Sequence, residues 1–172
     1  TTPKPFGGLM GSPKLKNIKK IIAIGTSTGG PRALQNVIPY LPKDIPASIL
    51  IVQHMPQGFT RSLAERLDSL SAIRVKEAEN GDKLLPGHAY IAPGSYHMKL
   101  TNVQSEYTIQ LTKDRPIMGL RPSVDVMMNS VADLGHKVPL IGVIMTGMGS
   151  DGAEGIKNIK NKNGRTIAQD EE

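Results

Sequence analysis

Cysteine and tryptophan are both absent from this chain of 172 residues, and it holds only two phenylalanines and four tyrosines. Without cysteine there is no disulfide, no thiolate metal site and no cysteine nucleophile. Any covalent chemistry must fall to another side chain, and the composition fits a reducing compartment. The scarcity of aromatics removes the platforms on which single-stranded nucleic acids stack their bases. Long apolar runs are also missing. Residues 49–52 (ILIV) and 140–145 (LIGVIM) are among the longest, far short of the ~18 that cross a bilayer, and no signal-peptide core opens the chain. Acids are lacking in residues 1–20, which carry Lys4, Lys14, Lys16, Lys19 and Lys20, five of the net +6 charges. The rest is nearly neutral, so the basic balance argues for a charged arm and against a nucleic-acid-binding body.

What remains has the length and apolar content of one globular domain. Residues 1–19, with Pro3, Pro5, Gly7, Gly8, Gly11 and Pro13, read as an interdomain linker or extended arm, and 20–172 as the folded unit. Within that unit, β-branched apolar runs alternate with segments of helical period, which predicts an α/β fold: a doubly wound, mostly parallel sheet flanked by helices. Strands are expected at 20–27, 47–54, 73–78, 140–145 and 165–169, and helices at 31–41, 60–70, 122–134 and 151–161. Between 88 and 113 the pieces HAYIA, HMKLT and YTIQLT suggest an antiparallel hairpin section. The strand at 165–169 would still want a covering helix.

Ligands and catalytic groups gather at the carboxyl ends of strands in such sheets. The first such end is Gly25-Thr26-Ser27-Thr28-Gly29-Gly30-Pro31. Gly25-x-Ser27-x-Gly29 has the spacing of a nucleophile elbow, and a following helix would supply backbone N–H groups, that of Thr28 among them, to a developing oxyanion. The same turn also reads as a helix cap or phosphate-binding loop. The second end carries His54, which could take the serine proton as general base. His88 and His97 fall in the hairpin section, and His136 precedes a strand on the wrong side. The third is Met145-Thr146-Gly147-Met148-Gly149-Ser150-Asp151-Gly152. Taken alone, Asp151 reads as the N-cap of the helix it precedes. A carboxylate there could also bind the far nitrogen of His54 and stabilise the imidazolium.

Chain order Ser27, His54, Asp151 differs from that of α/β-hydrolases. The alternative from another class is a non-catalytic nucleotide-binding module, because Gly25-x-Ser27-x-x-Gly30 nearly spells the dinucleotide fingerprint. Serine stands where a pyrophosphate needs glycine, however, and the second strand ends in Gln53-His54 without a ribose-binding acid. The four scattered histidines show no metal-ligand spacing, and no cofactor is implied. Arg121 and Asp125 in RPSVDV could be substrate or scaffold contacts, and the structural reading is the simpler; Ser123 and Ser150 read as turn or capping residues. Met98, Met127, Met128 and Met145 could line a substrate groove, but methionine on strands and helix faces normally reads as core filler.

Five segments, GTSTGGP, IVQHMPQGFTRSLAERL, VKEAENGDKLLPGHAYIAPGSYHM, RPSVDV and GVIMTGMGSDGAEG, resemble in this order the catalytic domain of the CheB family of chemotaxis protein-glutamate methylesterases, over roughly residues 20–170. The resemblance implies a catalytic triad of Ser27, His54 and Asp151, with Thr28 and the backbone of Met148 at the oxyanion site. It implies hydrolysis of glutamate γ-methyl esters on the cytoplasmic helices of methyl-accepting chemotaxis receptors, and deamidation of receptor glutamines in many members. The location expected is cytoplasmic, without direct membrane insertion. A receiver domain precedes the catalytic domain in full-length members, and a further segment, often SSVVFGMP, follows the point matching Asp170. By the resemblance, residues 20–172 are expected to be a methylesterase catalytic domain truncated at its C-terminus.

Overall fold

The computed structural model describes residues 18–134 and 138–170. Most of the expected arm, and His136, lie outside the described residues.

Two largely apolar strands, β1 (Lys20–Thr26) and β2 (Ala47–Gln53), form the centre of a six-stranded parallel sheet. Every residue of β2 is buried, as befits a parallel strand covered on both faces. The chain then places β3 (Arg74–Glu77) and β4 (His88–Ile91) beyond β2, and returns to put β7 (Leu140–Ile144) and β8 (Arg165–Ala168) on the other side of β1. The spatial order is β3-β4-β2-β1-β7-β8. The winding reverses at β1, so the crevice of the fold opens at the carboxyl ends of β2, β1 and β7.

Helices α1 (Gly30–Gln35) and α2 (Phe59–Leu70) cover one face. Leu34, Leu63, Ala64 and Leu67 pack there on Ile24, Ile49, Ile51 and Ile91. Helices α3 (Val124–Asp133) and α4 (Ala153–Asn161) cover the other face with the antiparallel hairpin β5 (His97–Val103) and β6 (Glu106–Thr112). Met98, Met127 and Met128 are fully buried in this second core, filling it as expected.

Three details depart from the sequence reading. The helix expected over 31–41 stops at Gln35 and a 3₁₀ turn, Ile38–Tyr40, follows. Pro39 has no N–H to continue an α-helical ladder. The hairpin section divides: residues 97–112 form the hairpin, whereas β4 joins the main sheet parallel to β2 and β3. His88, paired with Ser48, therefore lies at the amino end of the sheet. Helix α4 begins at Ala153, and its N-cap is Gly152.

The strand β8 is exposed along its length. Beside it an apolar groove of about 710 Å³, lined by Ile22, Ile24, Ile141, Val143 and Ile167, crosses the α1 face. The groove lies along the sheet and meets the loops beyond the strand ends at Gly29, Met145, Thr146 and Gln169.

Candidate active site

The sheet register dictates which residues meet. Thr26 pairs with Gln53, so Ser27 and His54 are the next residues out of two adjacent parallel strands. The ladder extends past the strand ends: the His54 N–H donates to the Thr26 carbonyl at 3.2 Å, and the Ser27 N–H to the Thr146 carbonyl at 3.1 Å. Ser27 is thereby fixed between the loop carrying His54 and the loop that leads to Asp151. The turn behind it is tight. Gly29 takes a left-handed conformation at φ 76° just ahead of α1, which L side chains other than Asn adopt only at a cost.

His54 Nε2–H donates to Asp151 Oδ2 at 2.7 Å. The histidine side chain is 11% exposed and that of Asp151 is fully buried. With Nε2 engaged, Nδ1 is the nitrogen left to accept a proton. Ser27 Oγ makes no hydrogen bond among the described residues, to His54 or to any other group. The structure thus joins the His54 imidazole and the Asp151 carboxylate directly and sets Ser27 on the neighbouring strand end in register, with its hydroxyl uncommitted.

Asp151 does more than hold the imidazole. Its Oδ2 also accepts the Val124 N–H at 2.7 Å, and Oδ1 accepts the Ser123 hydroxyl at 2.9 Å and the Asp125 N–H at 3.0 Å. Asp151 therefore serves the N-terminus of α3, not the helix it precedes, correcting the N-cap expectation. The amides of α4 are served in exchange by Asp125, whose Oδ1 accepts Gly152 N–H at 2.9 Å and Gly155 N–H at 2.8 Å. Each helix is capped by a carboxylate from the start of the other, and each carboxylate sits at a positive dipole end. Ser123 acts as the capping residue it was expected to be, its hydroxyl also accepting the Val126 N–H at 3.3 Å.

Burial alone would push the Asp151 carboxyl up. The hydrogen bonds from His54, the Asp125 and Val124 amides and Ser123 outweigh it and hold the carboxyl below its usual range. Asp125 moves the other way: burial raises it, the Gly155 amide opposes, and repulsion by Asp151 adds to the rise. Of the two carboxylates, the one facing His54 is the one whose charged form the surroundings favour.

The loops that would hold an oxyanion lie against each other. A Cβ on Gly147 would stand 2.4 Å from the Thr28 nitrogen, so Gly147 brings the backbone of residues 146–148 onto Thr28. Neither the Thr28 N–H nor the Met148 N–H donates to an acceptor among the described residues. His97 is buried in β5 with Nε2 bonded to the Arg115 carbonyl at 3.1 Å, and belongs to the hairpin. Sequence reasoning missed the roles of Asp125 and Gln53. Asp125 was legible only as a first-turn acid. Gln53 carried one signal, a polar side chain closing an otherwise apolar parallel strand.

With this geometry in hand, residues 22–172 match the family model described as CheB methylesterase. The chain is 55% identical over 154 residues to a protein-glutamate methylesterase/protein-glutamine glutaminase of Halalkalibacterium halodurans, covering 90% of this chain and 44% of that protein. It is 51% identical over 170 residues to the protein of the same name from Photorhabdus laumondii, covering 99% of this chain and 48% of the relative. The chain thus spans less than half the length of these curated relatives. The crystal structure of the Thermotoga maritima CheB methylesterase catalytic domain superimposes with a TM-score of 0.85 at 49% identity, over 89% of this chain and 80% of that one. An uncommitted serine between two loops, a histidine bonded to a buried carboxylate and a family match over nearly the whole folded unit lead to one conclusion: this chain belongs to the CheB methylesterase family.

Proposed function

We propose that this chain hydrolyses glutamate γ-methyl esters on the cytoplasmic helices of chemoreceptors by acyl transfer through Ser27. His54 Nδ1 takes the hydroxyl proton as Oγ attacks the ester carbon, and Asp151 stabilises the imidazolium from the other side of the ring. The N–H groups of Thr28 and Met148 receive the oxyanion. The tetrahedral intermediate collapses, the methoxide takes the proton from His54 and methanol leaves. Water then attacks the acyl-serine with His54 as base, the acyl–Oγ bond breaks, and Ser27 recovers its proton as free glutamate departs. The same attack on a glutamine side chain expels ammonia, which is receptor deamidation. Partners in this reading are methyl-accepting receptors in the cytoplasm and, in a full-length protein, a receiver domain. Nucleic acid and cofactors take no part, and the membrane is met only through the receptor. Among the described residues no helix is long and apolar enough to cross a membrane.

The observation that carries the reading is the 2.7 Å bond between His54 and the buried Asp151, formed at the mouth of the strand beside that of Ser27. No feature of the site favours the nucleotide-binding alternative. The test is methanol release from a receptor fragment bearing glutamate γ-methyl esters. Ser27→Ala is expected to fold and to release almost none, and undiminished release by that variant would overturn the assignment.

A further inference from the structure

The carboxamide of Gln53 is 2% exposed and donates through Nε2 to two carbonyls, that of Ser27 at 2.9 Å and that of His54 at 3.4 Å. One NH₂ group therefore ties together the backbones of the proposed nucleophile and the proposed base. Chemistry fixes its orientation, since the amide turned over would set Oε1 against two carbonyl oxygens. Oε1 lies instead beside Gly30, where a Cβ would stand 1.8 Å from it and 2.3 Å from Thr26 Oγ1. The last glycine of the GTSTGG run thus makes room for this side chain.

The fold does not need the carboxamide. The strand ladder already joins the two loops through the His54 N–H and the Thr26 carbonyl, and the Ser27 carbonyl already accepts the Gly30 N–H at 2.7 Å. Gln53 Oε1 is buried with no partner, and burying an unsatisfied polar atom disfavours folding. An apolar residue would continue the ILIV run of β2 without that penalty. What only the carboxamide supplies is a fixed distance between two reacting residues on separate strands. Such alignment governs rate: a displacement of ~1 Å can lower turnover by ~10²-fold.

We propose that Gln53 is a positioning residue, one that sets Ser27 against His54 for proton transfer. The proposal rests on the assignment of those two residues given above. It is tested with Gln53→Met, which keeps length and removes both donors. Three quantities are measured: kcat and KM for methanol release from the methylated receptor fragment, thermal unfolding, and the NMR resonance of the His54 Nε2 proton, which reports the bond to Asp151. The expected result is a fall in kcat of about 10- to 100-fold, KM within about twofold of the parent, and a retained imidazole resonance. A kcat within about twofold of the parent would overturn the proposal. So would a loss accompanied by disappearance of the resonance, because the residue would then be supporting the site only as general scaffold. Should Gln53→Met fail to fold, Gln53→Asn, one methylene shorter than the reach to the Ser27 carbonyl requires, is read by the same criteria. Ser27→Ala run alongside separates the two claims. Activity in that variant removes the site assignment and the role of Gln53 together, whereas an inactive Ser27→Ala beside a fully active Gln53→Met removes the role of Gln53 alone.

Discussion

Truncating Asp151 to alanine should damage the fold and the chemistry together, and the two losses can be separated. Its carboxylate accepts the Val124 and Asp125 amides, the Ser123 hydroxyl and His54 Nε2–H. In Asp151→Ala two backbone donors in the first turn of α3 lose their acceptor in a buried setting, at about 1–3 kcal/mol each. The helix end also loses its counter-charge, worth about 0.3–1 kcal/mol. The Ser123 hydroxyl still accepts from Val126, but its own proton and that of His54 Nε2 also lose their acceptor, which adds to the cost. A destabilisation of at least about 2 kcal/mol follows, which for a domain of this size lowers Tm by at least about 4 °C. His54→Ala is the control, for it removes the imidazole and leaves α3 capped. It should cost less than about 1.5 kcal/mol while abolishing turnover as thoroughly. Urea unfolding followed by circular dichroism, paired with methanol release, reads both variants. Equal destabilisation by the two substitutions, or a Tm of Asp151→Ala close to the parent's, would refute the crossed-cap reasoning.

Acid unfolding tests the same carboxylate by another route. The folded pKa of Asp151 is depressed, so its contribution is present above the ordinary carboxylate pKa of ~3.9 and is lost as pH falls through the folded value. Asp125 is raised and carries the opposite sign: its contribution is present below ~3.9 and lost as pH climbs through the folded value. Asp151→Asn should therefore flatten the stability profile below about pH 4, and an unchanged acid limb would contradict the assigned shift. Elsewhere, Met118 sits at φ 49° ahead of Gly119 at φ 76°, at the tip of a turn closed by Ile117 and Leu120. Asparagine tolerates that backbone better, so Met118→Asn should stabilise by about 1 kcal/mol in thermal unfolding. A fall in Tm would show that the 3.7 Å contact of its sulfur with Ser150 Oγ outweighs the strain.

The sheet was legible where a strand's identity depends on its own residues. Strands β1, β2 and β7 announce themselves as β-branched runs, and the elbow at Ser27 and the exit at His54 follow from them. Pro39 was also visible, though the apolar periodicity through Leu41 concealed that it ends α1 early. Pairing partners are a different matter. HAYIA reads as a strand in either sheet, and only the contacts of Ala89 and Ile91 with the α2 core decide for the parallel one. Asp151 shows the same limit at the site. A carboxylate before a helix is locally a cap for that helix, and nothing within ten residues reveals that its donors come from Ser123, Val124 and Asp125. Exchange of caps between α3 and α4 exists only once the two helix starts are packed side by side. The five ordered family segments pointed to the pairing of His54 with Asp151 across that gap, since they contain the outcome of the packing without describing it.

Whether Ser27 forms the covalent intermediate can be observed directly by intact-mass analysis of the protein treated with a serine-directed acylating probe, with the adduct mapped by peptide. A single adduct on Ser27, lost in His54→Ala, is the predicted result. An adduct on another residue, or one on Ser27 undiminished when the imidazole is gone, would contradict it.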